Sequence, residues 1–153
     1  IYSVGLLFYL LKDGLIPSKT VPFHKFKKFL GGKVWGNPVN WKERFSPKDV
    51  LNHPKKYPSH YRRIKKADLR YAILVSESLK ILDGYHRLTK AYLLKKKKIK
   101  VKILKRKLLE GVKLAEDTKE GWDQVDRLQK KDLRKIYQAR KPELLVLIKK
   151  LYS

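Results

Sequence analysis

The chain has 153 residues, 42% of them hydrophobic, which suits one domain with a real core and excludes wholesale disorder. It has no Cys, which excludes disulfides, thiolate catalysis and cysteine-based zinc sites and favours a reducing, intracellular compartment. The net charge of +25 favours an anionic partner: nucleic acid first, an acidic protein surface second and an anionic membrane third, the alternative being a Lys excess without function.

The first predicted element is the apolar run from Val4 to Leu11, within residues 2–12. Lys12 and Asp13 interrupt it, and it is far too short to span a bilayer. We predict a packed helix or strand that ends in a turn at Asp13-Gly14, where Gly14 has the position of a helix C-cap. Residues 1–20 are therefore assigned to an N-terminal packed element.

The next elements are a short extended run, Lys19 to Phe23, and a helix with Ser46 as N-cap, Pro47 at its first position and Asp49 at its third. Tyr57 and Tyr61 follow within a dense basic run. Cations interleaved with aromatic rings are typical of a nucleic-acid-binding surface, and a solvated basic loop is the alternative. The residues of this predicted surface are His60, Arg62, Arg63, Lys65 and Lys66.

Residues 71–103 have the pattern of strand, strand, helix and strand. The predicted elements are a buried strand Tyr71 to Val75, a strand Leu79 to Leu82, a turn at Asp83-Gly84, a helix from Tyr85 to about Lys95, and a half-exposed strand in which Ile99, Val101 and Ile103 alternate with Lys. Between helix and last strand lie four cations, a solvated connection that adds to any nucleic-acid footprint: Lys95, Lys96, Lys97 and Lys98.

Residues 106–153 are predicted to form a helical C-terminal extension that packs on the core or on a partner. Several acidic residues gather at its start, and apolar residues at helical spacing follow. We expect Pro142-Glu143 to open a last helix that carries Leu144, Leu147, Ile148 and Leu151 on one face.

The turn before the predicted helix at Tyr85 and the start of that helix contain the strongest candidates for a binding site. A helix start presents unpaired N–H groups and the positive end of the helix dipole, where cations are normally unfavourable. His86, Arg87 and Lys90 nevertheless occupy its first two turns, and Gly84 leaves room for a ligand beside the backbone. A bound phosphate would reconcile these features, with Asp83 capping the helix or holding a metal ion or hydroxyl group. An ordinary turn with Arg87 paired to a carboxylate and His86 exposed is the equal alternative.

Residues 21–104 resemble the ParB N-terminal/sulfiredoxin superfamily. The resemblance is carried by Val21-Pro22-Phe23, by Asn37-Pro38, by the segment from Arg63 to Val75, and above all by Asp83-Gly84-Tyr85-His86-Arg87 with Lys90-Ala91, which is similar to the family's Gly-x-x-Arg signature. It implies an α/β (α+β) domain, here residues 21–105, with a small mixed sheet. The overall sequence looks most similar to ParB-like proteins of large DNA viruses, which would imply association with a virion.

The resemblance implies a phosphate site at Gly84, Tyr85, His86, Arg87 and Lys90. In ParB proteins the signature helix binds the phosphates of a cytidine nucleotide, and a related archaeal branch phosphorylates free serine. Sulfiredoxins use a Cys in this turn, where this chain has Tyr85, so sulfiredoxin activity is excluded. The ParB turn usually carries Glu-Arg-Arg, and this chain has Tyr-His-Arg.

We therefore expect a basic ParB-like module that binds phosphate groups of nucleic acid or of a nucleotide. Two alternatives stay open: a non-catalytic structural component of a large assembly, such as a virion or ribonucleoprotein, on a retired ParB-like scaffold, and a small-molecule kinase or nucleotide hydrolase that uses Asp83. The balance favours a protein that is not an enzyme. The sequence does not identify a cofactor, although a nucleotide with Mg²⁺ is consistent with the resemblance. No pair of His residues has the spacing of a His-x-x-x-His metal site, so no metal site is predicted.

Overall fold

The computed structural model describes residues 2–12, 14–37 and 39–153. The predictions that involve Asp13 and Pro38 lie outside the described residues. In chain order the helices and strands are α1 (Val4–Lys12), β1 (Lys19–Pro22), α2 (Pro47–Asn52), α3 (Pro58–Lys66), β2 (Ile73–Ser76), β3 (Ile81–Asp83), α4 (Tyr85–Leu93), β4 (Lys98–Leu104), α5 (Arg106–Gly111), α6 (Lys119–Asp126) and α7 (Lys130–Tyr152). The prediction of a small α+β fold with a mixed sheet is confirmed.

The chain divides into two compact units. One unit is Ser18–Ile103, and it contains the predicted phosphate site. The other combines both ends of the chain, Ile1–Pro17 and Leu104–Ser153. The boundary at Ser18 lies between α1 and β1, and the boundary after Ile103 leaves Leu104, the last residue of β4, in the other unit.

The sheet has the strand order β1-β4-β2-β3. β1 pairs antiparallel with β4, with Val21 opposite Ile99. β2 pairs antiparallel with β3, with Leu74 opposite Asp83 and a register irregularity between Leu74 and Val75. This pairing brings the end of β3, and hence the start of α4, beside β2.

The helices of the Ser18–Ile103 unit follow from local signals. At α2, Ser46 Oγ accepts a hydrogen bond from the Asp49 N–H and an Asp49 oxygen accepts one from the Ser46 N–H. This reciprocal capping box, with Pro47 in the first turn, confirms the predicted helix start. α3 likewise begins with a proline, Pro58.

One hydrophobic cluster forms the core of this unit. It joins the inward faces of the strands to α4 and to the short 3₁₀ turns after β1, since alternate strand residues point to one face of a sheet. Its buried members are Phe23, Phe26, Leu30, Ile73, Val75, Ile81, Leu88, Ala91, Ile99 and Val101. α4 is therefore fixed on the sheet along its length, which makes its first turn a rigid position.

The second unit contains α1, α5, α6 and α7. Here the prediction that Pro142 opens a helix is wrong, because Pro142 lies inside the continuous helix α7. An interior proline removes one backbone hydrogen bond and clashes with the preceding turn. The apolar face of α7 compensates, since Tyr137, Leu144 and Ile148 on both sides of the proline are buried. Among the described residues, no helix has the length and hydrophobicity needed to cross a bilayer.

A basic cleft beside the start of helix α4

Part of the basic run of the sequence forms one face of α3. Ser59, Arg62, Arg63 and Lys66 are spaced three, four and seven residues apart, which places them on the same side of a helix. Ile64, on another side, is fully buried and anchors the helix to the unit. The buried side of α3 thus packs against the rest of the unit, and another side exposes a row of cations.

These four residues line a cleft of about 790 Å³ within the Ser18–Ile103 unit. The opposite wall comes from the α3–β2 connection and from the start of α4. Its remaining lining residues are Ala67, Asp68, Tyr71, Asp83, His86 and Arg87. The cleft therefore joins the predicted basic surface to the predicted phosphate turn, two features that are far apart in the sequence.

The two carboxylates of the cleft are each matched by an arginine. Asp68 forms an ion pair with Arg70 at 2.7 Å, and Arg70's hydrogen bonds lower the pKa of Asp68 to about 2. Asp83 forms an ion pair with Arg87, also at 2.7 Å.

Three lining cations, Arg62, Arg63 and Lys66, have no carboxylate within ion-pair distance among the described residues. The cleft therefore carries an uncompensated positive charge on its α3 wall.

Gly84 is the residue before α4, and its backbone conformation favours glycine. Its φ of +112° lies in the left-handed region that favours glycine. A Cβ added there would lie 3.1 Å from Ile73 Cγ1 and 3.3 Å from Arg87 Nη2, so space is also tight. The Asp83 side chain does not cap the helix, contrary to one of the roles considered for it. The first N–H groups of α4 lack intrahelical acceptors by helix geometry.

Arg87 holds the turn together. Its Nη1 donates to the Ala72 carbonyl at 2.6 Å and its Nη2 donates to Asp83. The side chain is only 19% exposed. It therefore links the segment before β2, the end of β3 and the first turn of α4, which agrees with the ordinary-turn alternative for this residue. Asp83, the candidate for catalysis, is engaged in the same contact.

Lys90 is similarly engaged with the backbone. Its Nζ donates to the Ala67 carbonyl at 2.6 Å, directly after the last residue of α3. Lys90, Gly84 and Tyr85 lie outside the lining of the cleft. Of the five predicted phosphate contacts, His86 and Arg87 are the two that face the cleft.

His86, which lines the cleft, forms a pair with His60, which lies outside the cleft lining. His60 Nδ1 and His86 Nε2 lie 3.1 Å apart, and the two rings are almost coplanar, with 7° between their planes. Both rings stack on Trp35, with centroid separations of 4.4 Å and 4.5 Å. Because the histidine centroids are only 5.3 Å apart, the two rings must lie over the same face of the indole.

Burial and nearby cations keep this pair neutral. Desolvation lowers the pKa of His86 to about 4, with further lowering by His60, Arg63 and Arg87. Desolvation and Arg63 also lower the pKa of His60. One neutral imidazole can donate the shared hydrogen bond to the other. His86 is therefore a neutral, half-buried group at neutral pH, which differs from the exposed His86 of the ordinary-turn alternative.

Tyr85 and its neighbours extend the aromatic cluster. Tyr85 packs against the hydrophobic core and meets Trp35 edge to face, at 6.5 Å. Burial raises the pKa of its phenol. Phe45 pairs with Trp35 through an isolated β-bridge and stacks on Tyr57 at 4.2 Å. Tyr85 and Phe45 thus pack around Trp35, on which both histidines stack.

The other predicted nucleic-acid contacts lie elsewhere. Lys65 is outside the cleft lining and sits over the ring of Tyr61 at 5.6 Å. The exposed Lys95 to Lys98 run follows the far end of α4, whose nine residues measure about 13 Å. The two basic runs of the sequence thus do not form one lining.

Sequence reasoning did not connect Trp35, Ser59, Asp68 or Tyr71 with this site. The spacing of Ser59 with Arg62, Arg63 and Lys66 was a local signal that could have revealed the α3 face. The packing of Trp35 on His60 and His86 was not available locally, since it depends on contacts between distant segments.

Among the described residues, no group of three or more His, Asp or Glu side chains could hold a metal ion. Comparisons of the chain with protein-family models, with curated proteins and with solved structures found no match.

Proposed function

We propose that the Ser18–Ile103 unit binds phosphate groups of a nucleic acid or a nucleotide in the cleft between α3 and α4. The observation that carries the proposal is the row of Arg62, Arg63 and Lys66, which faces the cleft without a carboxylate partner among the described residues. Phosphate is the biological anion that such a cluster of guanidinium and ammonium donors suits.

Two further features support an anionic ligand. The net charge of +25 produces a field that attracts a polyanion from a distance. The first turn of α4 adds the positive end of a helix dipole beside His86, on the wall opposite α3. The resemblance of this turn to the ParB signature points to the same group of ligands.

In this proposal the residues of the turn have separate tasks. Arg62, Arg63 and Lys66 contact phosphate oxygens. His86 offers a neutral hydrogen-bonding edge at the cleft. Arg87 positions the turn through its contacts with Ala72 and Asp83. This division differs from the sequence-based hypothesis, which gave Arg87 and Lys90 direct contacts.

The experiment compares two triple variants that remove the same charge. Arg62→Gln/Arg63→Gln/Lys66→Gln removes the cleft cations, and Lys95→Gln/Lys96→Gln/Lys97→Gln removes three exposed cations beyond the far end of α4. Binding of a labelled oligonucleotide is measured by fluorescence anisotropy at moderate salt. The cleft variant is expected to lose about tenfold or more in affinity and the distal variant much less. Equal losses would mean that only net charge matters.

A structural role in a large assembly is the second candidate. It is favoured by the closed contact between Asp83 and Arg87, which satisfies the signature arginine inside the chain. In that case the cleft variant would bind polyanions as well as the distal variant does. It would instead lose association with an acidic protein partner.

A further inference from the structure

We propose that the cleft takes a single-stranded nucleic acid, with one base stacked on the ring of Tyr71. This inference rests on the proposed phosphate binding by the α3 wall. It adds a binding site for a base and thereby specifies the ligand as a single-stranded nucleic acid.

Tyr71 is an exposed aromatic side chain within the cleft. It lines the same cavity as Arg62, Arg63 and Lys66, and 65% of its surface is exposed. An exposed aromatic ring presents a large flat apolar surface to a ligand. An exposed ring next to unpaired cations has the composition of a surface that binds nucleic-acid strands, where rings stack on bases and cations hold the backbone.

The backbone that presents this ring is held on three sides. The Tyr71 N–H donates to the Asp68 carbonyl at 3.3 Å. The carbonyls of the flanking residues, Arg70 and Ala72, accept hydrogen bonds from Lys100 Nζ and Arg87 Nη1. The backbone beneath the ring is therefore held in place, which reduces the entropy lost when a base stacks on the side chain.

The ligand must have an unpaired base. In a duplex both faces of a base are covered by neighbouring base pairs, so a tyrosine ring gains access only to a single strand or an extruded base.

The spacing of the cations also favours a ligand with more than one phosphate. Arg62 and Lys66 are one helical turn apart, about 6 Å along α3, and Arg63 lies between them. This row suits consecutive phosphates of a strand better than one compact phosphate group.

The test distinguishes the contribution of base stacking to affinity from the contribution of phosphate contacts. Four labelled or competing ligands are compared: a short thymidine oligonucleotide, an abasic strand of equal length and charge, the corresponding duplex, and thymidine triphosphate. Each is titrated against the wild-type protein, Tyr71→Leu, Tyr71→Phe and the cleft variant Arg62→Gln/Arg63→Gln/Lys66→Gln. Tyr71 is exposed, so folding is expected to be unchanged, and thermal melting checks this.

Tyr71→Leu is expected to weaken binding of the thymidine strand about 5- to 150-fold and to leave the abasic strand unchanged. Tyr71→Phe is expected to retain the wild-type affinity, because the ring is what stacks. The wild-type protein is expected to prefer the single strand over both the duplex and the triphosphate.

Three results would overturn the inference: equal effects of Tyr71→Leu on both strands, tighter binding of the duplex, or triphosphate binding as tight as that of the strand. Failure of the proposed phosphate binding is distinguishable, because the cleft variant would then bind the abasic strand as well as the wild-type protein does.

Discussion

His60 Nδ1 and His86 Nε2, which belong to α3 and α4, share a 3.1 Å hydrogen bond on one face of Trp35. This contact joins α3 to α4, the two helices that border the cleft. It requires at least one neutral imidazole, because two protonated rings have no acceptor nitrogen. The environment meets this requirement, since burial and neighbouring cations lower the pKa of both histidines.

The first prediction concerns pH and stability. The pKa of His86 is about 4 in the folded protein against 6.5 for the free side chain. The unfolded chain therefore binds the proton more readily. The contribution of His86 to the free energy of unfolding is fully present above pH 6.5 and is lost as the pH drops towards 4. We expect His86 to account for a loss of about 1–2 kcal/mol over this window, after allowance for solvent screening.

Urea unfolding at several pH values between 7.5 and 4 measures this loss. His86→Gln should flatten the dependence over that window, whereas His24→Gln, which changes an exposed histidine, should leave it as in the wild type. A wild-type slope that survives in His86→Gln would contradict the prediction.

The second prediction compares two Asp–Arg pairs that border the cleft. Arg87 is mostly buried and also donates to the Ala72 carbonyl, so Arg87→Met leaves a carbonyl and a carboxylate unpaired. We expect it to lower the free energy of unfolding by about 2–4 kcal/mol. Arg70→Met changes an arginine that is 85% exposed and should have no measurable effect. Chemical denaturation tests both variants, and similar stabilities would argue against a positioning role for Arg87.

The third prediction concerns Gly84. Ala at this position must adopt a φ of +112° and place its Cβ against Ile73. We expect Gly84→Ala to destabilise the protein by about 1–3 kcal/mol. Gly31→Ala is the matched control, because a Cβ there meets no atom within 4 Å, and its effect should stay within about 0.5 kcal/mol. A Gly84→Ala variant as stable as Gly31→Ala would show that the turn relaxes easily.

Much of the Ser18–Ile103 unit was predictable because its signals are local. Ser46, Pro47 and Asp49 predicted the start of α2 by their spacing alone, and the capping box confirms it. The alternation of Lys with apolar residues predicted β4, and Asp83-Gly84 predicted the turn into α4. Each of these features depends on neighbours within four residues.

The parts that were not predictable depend on tertiary contacts. The phosphate hypothesis treated Arg87 and Lys90 as direct ligand contacts, but the fold brings the carbonyls of Ala72 and Ala67 within reach of them. Pro142 looked like a helix start because local rules exclude proline from helix interiors. The buried residues on both sides of it outweigh that cost, which no local pattern could indicate.

The salt dependence of oligonucleotide binding tests the central claim most directly. Each lost phosphate contact lowers the magnitude of the slope of log affinity against log salt by about 0.7 for a single strand. The account predicts that Arg62→Gln/Arg63→Gln/Lys66→Gln reduces the slope by about 2, while Lys95→Gln/Lys96→Gln/Lys97→Gln leaves it nearly unchanged. A slope that is the same in the cleft variant and in the wild-type protein would contradict phosphate binding in the cleft.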